Sequence, residues 1–217
     1  VEQTGRFADV YCGLGLVMAT RQPGVPSKAG IVGLGAGTMA AYARPGDEFK
    51  FYEINPMILD IARNYFTFLK DCRGTVSTSI GDARLLLERE PPQNYDILAV
   101  DAFSSDSIPV HLLTAEAIEL YFRHLKPDGV LAVHITNHYL NLEPVLERAA
   151  NHLGKQMLVV RTTRDDNNIC YRTRWALLSA NTQLFGRPEF ATATRPAKAG
   201  DFVRWTDDYS NLFSVLQ

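Results

Sequence analysis

The feature of this sequence that most constrains its fold is a regular alternation of strand-like and helix-like stretches. From residue 28 onward, short apolar runs rich in β-forming residues alternate with stretches whose apolar side chains have helical spacing. Strand candidates lie at 29–34, 48–54, 75–80, 95–100, 130–135, 157–161 and 174–179, with helix candidates at 38–43, 82–90, 114–125 and 142–153 and one opening at Pro56. Strands joined by helices favour parallel neighbours. We therefore expect an α/β fold with a mostly parallel seven-stranded sheet and helices on both faces.

Length and composition are consistent with one globular unit of this class. The 217 residues are 46% hydrophobic, which is enough for a substantial core. We expect residues 28–217 to form the main domain and residues 1–27 to form a short N-terminal segment packed on it. A net charge of −2 argues against a nucleic-acid partner, because such a protein needs a basic surface.

The sequence also bears on location. No apolar run approaches the roughly 20 residues of a membrane-spanning helix, so we expect no membrane insertion by this segment. Cys12, Cys72 and Cys170 are scattered, which is typical of a reducing compartment, and we expect a cytoplasmic protein. Because the chain begins with Val1, a second interpretation is that it forms the cytosolic domain of a longer membrane protein.

A glycine-rich loop follows the first strand candidate. Gly33, Gly35 and Gly37 stand in the pattern GxGxG, and a helix candidate begins after them. Glycines let the backbone turn tightly and approach a ligand, and a following helix directs N–H groups toward that ligand. The dinucleotide-binding pattern has Gly or Ala where this chain has Thr38, so the loop alone is also compatible with a turn that binds nothing.

Acidic residues follow the second and third strand candidates. Glu53 lies twenty residues after Gly33, the spacing at which a carboxylate accepts hydrogen bonds from both ribose hydroxyls. Asp82 follows the third strand, where it could accept the exocyclic amine of an adenine or cap the next helix. In an open parallel sheet, ligands bind beyond the carboxyl ends of the strands. Glu53 and Asp82 therefore favour a nucleoside site.

The fourth strand candidate ends in a loop of acids and serines. Asp101 stands at the strand tip, and the residues after it continue as Ala-Phe-Ser-Ser-Asp-Ser-Ile-Pro. Such a loop makes a poor core and a good site. Asp101 would face whatever the glycine loop holds, although it could also pin its own loop through backbone hydrogen bonds.

The motifs GLGAG, FYEINP, IGDA and YDILAVDAFSSDSIPVHLLTAEAIELYFRHLKPDGVLAVHI resemble those of the spermidine synthase (polyamine aminopropyltransferase) family. The C-terminal WTDDYSNLFSVL is similar to the ending of a subgroup related to transporter-fused domains, and the resemblance covers roughly residues 10–217. It implies the sheet of S-adenosylmethionine-dependent methyltransferases, with a reversed last strand. Authentic synthases usually carry an additional N-terminal β-domain, which we expect to be missing or much reduced in this sequence.

The resemblance also implies site roles. It places the three loop glycines at the methionine-like tail of the donor, Glu53 on the ribose, and Asp82 and Ala83 by the adenine. It gives Asp101 the role of assisting deprotonation of the attacking amine. Further substrate-binding candidates are Ser104, Asp106, Asp208 and Tyr209.

Two positions depart from the synthase pattern. Ala36 stands where an Asp normally holds the amino group of decarboxylated S-adenosylmethionine, and Ser104 replaces an acid after strand four. A missing carboxylate removes a partner for a cation. These two departures leave open which donor is bound. From the resemblance as a whole, we expect an aminopropyltransferase-like enzyme that uses decarboxylated S-adenosylmethionine or S-adenosylmethionine. The alternatives are a methyltransferase and a non-catalytic module that binds nucleoside or polyamine.

The remaining expectations concern metals and partners. His134 and His138 are four residues apart, but only the first lies in a strand, and no cluster of carboxylates or cysteines flanks them. We therefore expect no metal. The resemblance implies a small-molecule amine as substrate, and we expect a homodimer.

Overall fold

The computed structural model of the protein describes residues 12–103, 108–162, 172–196 and 204–216. These residues include a seven-stranded sheet in the spatial order β3-β2-β1-β4-β5-β7-β6. The strands are β1 Lys28–Val32, β2 Glu48–Glu53, β3 Thr75–Ile80, β4 Tyr95–Val100, β5 Leu125–His134, β6 Gln156–Arg161 and β7 Arg174–Ser179. All neighbours are parallel except β7, which is antiparallel to both β5 and β6. The predicted fold class and the reversed last strand are confirmed, in a mixed sheet.

Helices connect most of these strands. They are α1 Cys12–Ala19, α2 Pro56–Tyr65, α3 Ala83–Arg89, α4 Ala115–His124 and α5 Glu143–His152, with 3₁₀ helices at Thr38–Tyr42, Val110–Leu112, Leu184–Gly186, Pro188–Phe190 and Leu212–Val215. None of the helices in the described ranges has both the length and the apolar character that crossing a bilayer requires.

Local sequence signals determine where the helices begin. The side chains of Asn55, Asp82 and Thr114 accept the backbone N–H of Met57, Leu85 and Ala117 at 3.0, 3.0 and 3.3 Å. These bonds satisfy donors that a helix start otherwise leaves open. The helix candidate at 38–43 is a five-residue 3₁₀ helix, because Gly37 enters it in a left-handed conformation and a turn at 44–47 follows.

Each face of the sheet has its own core. Along β4, Leu98 and Val100 pack into the cluster beneath α3, α4 and α5, whereas Ile97 and Ala99 pack into the cluster beneath α1 and α2. Successive side chains of a strand point to opposite faces, so a sheet covered on both sides needs this continuous apolar run. Each fully buried Leu or Ile side chain contributes about 1.5–3 kcal/mol.

Part of the N-terminal segment packs on a face of the sheet. Helix α1 lies against β5, β6 and β7. A Cβ at Gly13 would lie 2.2 Å from Cβ of Trp175, so glycine lets the helix approach the sheet closely. The boundary between residues 1–27 and the main domain stays a prediction.

Strand order determines where a ligand site can form. From β1 the chain proceeds outward to β2 and β3, then returns to β4 on the other side of β1. The strand order therefore reverses at β1 and β4. A crevice beyond the carboxyl ends of these strands is the usual ligand site of an open α/β sheet.

Candidate active site

A cavity of about 660 Å³ opens at this reversal point. Among the residues lining it are six predicted site residues: Gly33, Gly35, Glu53, Asp82, Ala83 and Asp101. Leu34, Ile54, Ile58, Phe103 and Leu112 add apolar walls. The volume and the mixture of apolar walls with a few polar groups are typical of a small-molecule site.

The glycine loop brings the tips of β1 and β4 together. Gly33 has φ +98°, and a Cβ there would lie 2.4 Å from the carbonyl oxygen of Asp101. Gly35 has φ +53° with open space where a Cβ would stand. Gly37 is not among the cavity-lining residues, and its absent Cβ would lie 2.9 Å from Cδ2 of Leu69. The φ of +81° favours glycine at position 37, and its role at the donor tail stays a prediction.

Glu53 connects the glycine loop to the tip of β2. Its Oε2 accepts the backbone N–H of Leu34 at 3.0 Å, and its Oε1 accepts that of Asn55 at 2.9 Å. The residue is buried and lines the cavity. A carboxylate has about four acceptor positions, so two backbone bonds fix its orientation and leave capacity for hydroxyl donors.

Asp82 begins α3 and also lies at the cavity. Its Oδ1 caps the helix through Leu85, and its Oδ2 lies 3.2 Å from Nε2 of His111. The capping role foreseen from sequence is present together with a second contact. His111 lines the cavity with its side chain half exposed, and sequence reasoning missed it because it lies on a different element.

Asp101 is paired with a histidine. Its Oδ1 lies 2.6 Å from Nδ1 of His134, and their side chains are 19% and 15% exposed. The imidazole stacks on Trp175 with centroids 4.6 Å apart, and the ring of Phe103 meets its edge at 5.0 Å. Asp101 therefore has a fixed partner at the strand tip. Sequence reasoning considered His134 only as a metal ligand, although β5 lies beside β4 in the sheet.

The cavity is also lined by a phenol that stays neutral. The hydroxyl of Tyr52 donates to Oε2 of Glu90 at 2.7 Å and lies 2.8 Å from the hydroxyl of Tyr95. Burial raises the pKa of Tyr52 well above its usual range and that of Tyr95 to about 12. Tyr52 therefore adds a hydrogen-bonded wall to the site and no charge near neutral pH.

The C-terminal segment reaches the same side of the sheet through Asp207. Its Oδ1 accepts from Arg84 Nη1 and from the Thr114 hydroxyl, both at 2.7 Å. The Arg84 hydrogen bond holds the pKa of Asp207 below its usual value. Asp208 and Tyr209 are exposed and not among the cavity-lining residues. Their substrate roles stay predictions. Ser104 and Asp106 lie outside the described residues.

No group of three or more potential metal-ligating side chains occurs in the part of the chain described. His134 is engaged with Asp101 and, through Nε2, with the hydroxyl of Thr136 at 2.7 Å.

Sequence comparison relates this geometry to known proteins. No protein-family model matches the chain. The polyamine aminopropyltransferase of Vibrio vulnificus is 34% identical over 114 residues, which are 50% of this chain and 38% of that protein. Over half of its length, the chain is therefore similar to a polyamine aminopropyltransferase. It spans about two fifths of the length of this curated relative.

Solved structures share the fold of this chain. A probable spermidine synthase from Corynebacterium glutamicum matches 98% of this chain and 82% of its own, with a TM-score of 0.67 at 18% identity. Human methyltransferase-like protein 13, in complex with SAH, matches 87% of this chain and 85% of its own, with a TM-score of 0.61 at 17% identity. These two structures thus share the fold of this chain.

Proposed function

We propose that this protein is an aminopropyltransferase-like enzyme that binds an adenosine-bearing sulfonium donor and transfers its alkyl group to a small amine. The observation that carries the proposal is the convergence of Glu53, Asp82 and Asp101 on one cavity from three successive strand ends. In the resemblance, these residues serve the ribose, the adenine and the attacking amine. The Vibrio relative supports the same reaction class.

The reaction requires a carboxylate at the position of Asp101. An alkyl amine has a pKa near 10.4 and is protonated at neutral pH, so it lacks the lone pair needed for attack. Asp101 attracts the ammonium ion and accepts its proton. The nitrogen then bonds to the donor carbon as the carbon–sulfur bond breaks, and the electron pair stays on sulfur. Because the sulfonium becomes a neutral thioether, the leaving group needs no acid.

The form of the donor depends on the glycine loop. Ala36 provides no carboxylate for the amino group of decarboxylated S-adenosylmethionine. This substitution makes S-adenosylmethionine the second candidate donor, with methyl transfer as the alternative reaction. The likeness to a methyltransferase-like protein in complex with SAH favours keeping that alternative. We also propose that the protein forms a homodimer and is located in the cytoplasm. The alternative to an enzyme is a non-catalytic module that binds nucleoside or polyamine.

Ligand binding and product analysis together test the proposal. We expect methylthioadenosine to raise the melting temperature, because a ligand that binds only the native state stabilises it. Incubating the protein with decarboxylated S-adenosylmethionine and a panel of mono-, di- and polyamines should release methylthioadenosine. Release of S-adenosylhomocysteine from S-adenosylmethionine in the same assay would establish methyl transfer. Binding without either product would favour the non-catalytic module, and absence of nucleoside binding would refute the site.

A further inference from the structure

We propose that His134 is a positioning residue for Asp101: it holds one carboxylate oxygen so that the other faces the attacking amine. This inference rests on the proposed function and extends it to a residue on a different strand. It is carried by a chain of hydrogen bonds from the backbone of β7 to the cavity.

The chain of hydrogen bonds determines where the imidazole carries its proton. A carboxylate can only accept hydrogen bonds. The Nδ1–H group of His134 must therefore donate the hydrogen bond to Oδ1 of Asp101, which lies 2.6 Å away. The backbone N–H of Arg174 donates to the hydroxyl oxygen of Thr136 at 2.8 Å. The Thr136 hydrogen is then available for Nε2 of the neutral ring, at 2.7 Å. Thr136 therefore stabilises the tautomer with Nδ1 protonated.

Packing also fixes the plane of the ring. The planes of His134 and Trp175 differ by 3°, and Trp175 is fully buried beneath helix α1. The ring of Phe103 makes an edge contact with the imidazole at an interplanar angle of 78°. A ring held in this way cannot rotate without displacing core side chains. The direction of the Nδ1–H bond, and with it the Asp101 carboxylate, is therefore set by the core.

The backbone fixes the other end of Asp101. Its N–H donates to the carbonyl of Val32 at 2.8 Å, which holds the tip of β4 against β1. Within the described residues, Oδ2 of Asp101 has no hydrogen-bond partner, and the residue lines the cavity. Oδ2 is therefore the atom we assign to the amine. Fixing a reacting group in advance reduces the reorganisation that the transition state needs.

The test compares two substitutions at this position. In His134→Asn, the side-chain amide nitrogen replaces Nδ1 as the donor, and in His134→Leu no donor remains. We expect His134→Leu to lower kcat roughly ten- to a hundredfold, the range for a misplaced catalytic group, and His134→Asn to retain most of it. The affinity for methylthioadenosine should change less than about twofold in both, because Glu53 and Asp82 hold the nucleoside. His138→Asn is the matched control, since His138 is exposed.

The imidazole spectrum provides a readout that a purely structural role would not move. Two-bond ¹⁵N–¹H spectra should show the His134 imidazole protonated at Nδ1. The chemical shift of this nitrogen should change in the Asp101→Asn variant. Wild-type activity in His134→Leu, or a neutral ring protonated only at Nε2, would overturn the inference.

The two proposals can fail separately. If wild type transfers no alkyl group, the proposed function fails, and the imidazole spectrum alone decides whether His134 holds Asp101. If His134→Leu fails to fold, which its melting curve will show, the kcat of His134→Asn and the imidazole spectrum decide. Loss of activity in the folded Asn variant as deep as in Asp101→Asn would refute a role limited to donating one hydrogen bond.

Discussion

Two cavities at opposite ends of the sheet have similar size and different chemistry. The cavity at the carboxyl ends measures about 660 Å³, and a second one of about 610 Å³ lies before the amino ends of β1 and β2. In the second cavity Arg21 and Asp47 pair at 2.7 Å with their side chains almost fully buried. Volume therefore does not distinguish the candidate site from a structural cleft in this molecule. What distinguishes the two cavities is which partners their charged side chains have.

The polar groups of the amino-end cavity are used internally. Asp47 accepts the backbone N–H groups of Ser27 and Arg44, each at 2.8 Å, in addition to Arg21. Arg21 also donates to the carbonyls of Met18 and Tyr42. These bonds join the end of α1 to the turn before β2. At the carboxyl end, by contrast, Asp101 lines the cavity, and within the described residues only its Oδ1 has a hydrogen-bond partner.

The largest effect should come from removing the side-chain carboxylate of Asp101, in the cavity at the carboxyl ends of the strands. Asp101→Asn should lower kcat by about 10²–10⁴-fold, the usual contribution of a positioned acid or base, while changing the melting temperature little. Asp60→Asn, an exposed change on α2, is the control in the same product assay. Full activity in Asp101→Asn would contradict a catalytic role for the cavity at the carboxyl ends of the strands.

The reverse result is expected at the amino end. Asp47→Ala should lower the free energy of unfolding by about 3–5 kcal/mol, because it leaves a buried guanidinium unpaired. Burial already lowers the pKa of Arg21, so no solvent compensates for the lost partner. Urea denaturation measures the loss, with Asp60→Ala as the control. The folded fraction should bind methylthioadenosine as wild type does, and impaired binding would mean that the two ends are coupled.

A smaller effect should separate two glycines of one loop. Gly33→Ala should destabilise the protein by about 3 kcal/mol, because the new methyl group overlaps the Asp101 carbonyl in a backbone conformation unfavourable for L-residues. Gly35→Ala meets open space and should cost about 1 kcal/mol of left-handed strain. Thermal melts compare the two variants directly, and equal losses would contradict the close contact between β1 and β4.

The smallest expected effect concerns Asp207, whose side chain is 43% exposed. Because its pKa is lowered in the folded state, its contribution is present above the unfolded pKa and is lost as pH falls through the folded one. Asp207→Asn should therefore destabilise the protein by about 0.5–1 kcal/mol at pH 7, after allowance for solvent screening. Urea denaturation at decreasing pH should show this difference shrinking below about pH 4. A constant difference would contradict an ionic origin.

Local signals in the sequence predicted where the helices around the site begin. They did not predict the long-range side-chain contacts within the site. The caps at Asp82 and Thr114 depend on residues three positions away, and both are present. The pairing of His134 with Asp101 depends on two strands lying side by side, which the resemblance implied but residue patterns alone do not specify. The contact between Gly37 and Leu69 likewise depends on packing across a loop.

The contact between Arg84 and Asp207 joins positions separated by 123 residues. Arg84 belongs to the helix that Asp82 begins, so one border of the cavity is tied to a part of the chain made much later. During translation, the strands that carry Glu53 and Asp101 leave the ribosome well before this tie can form. A nascent polypeptide can thus assemble the strand ends that line the cavity early, while completion of its border waits until Asp207 has been made.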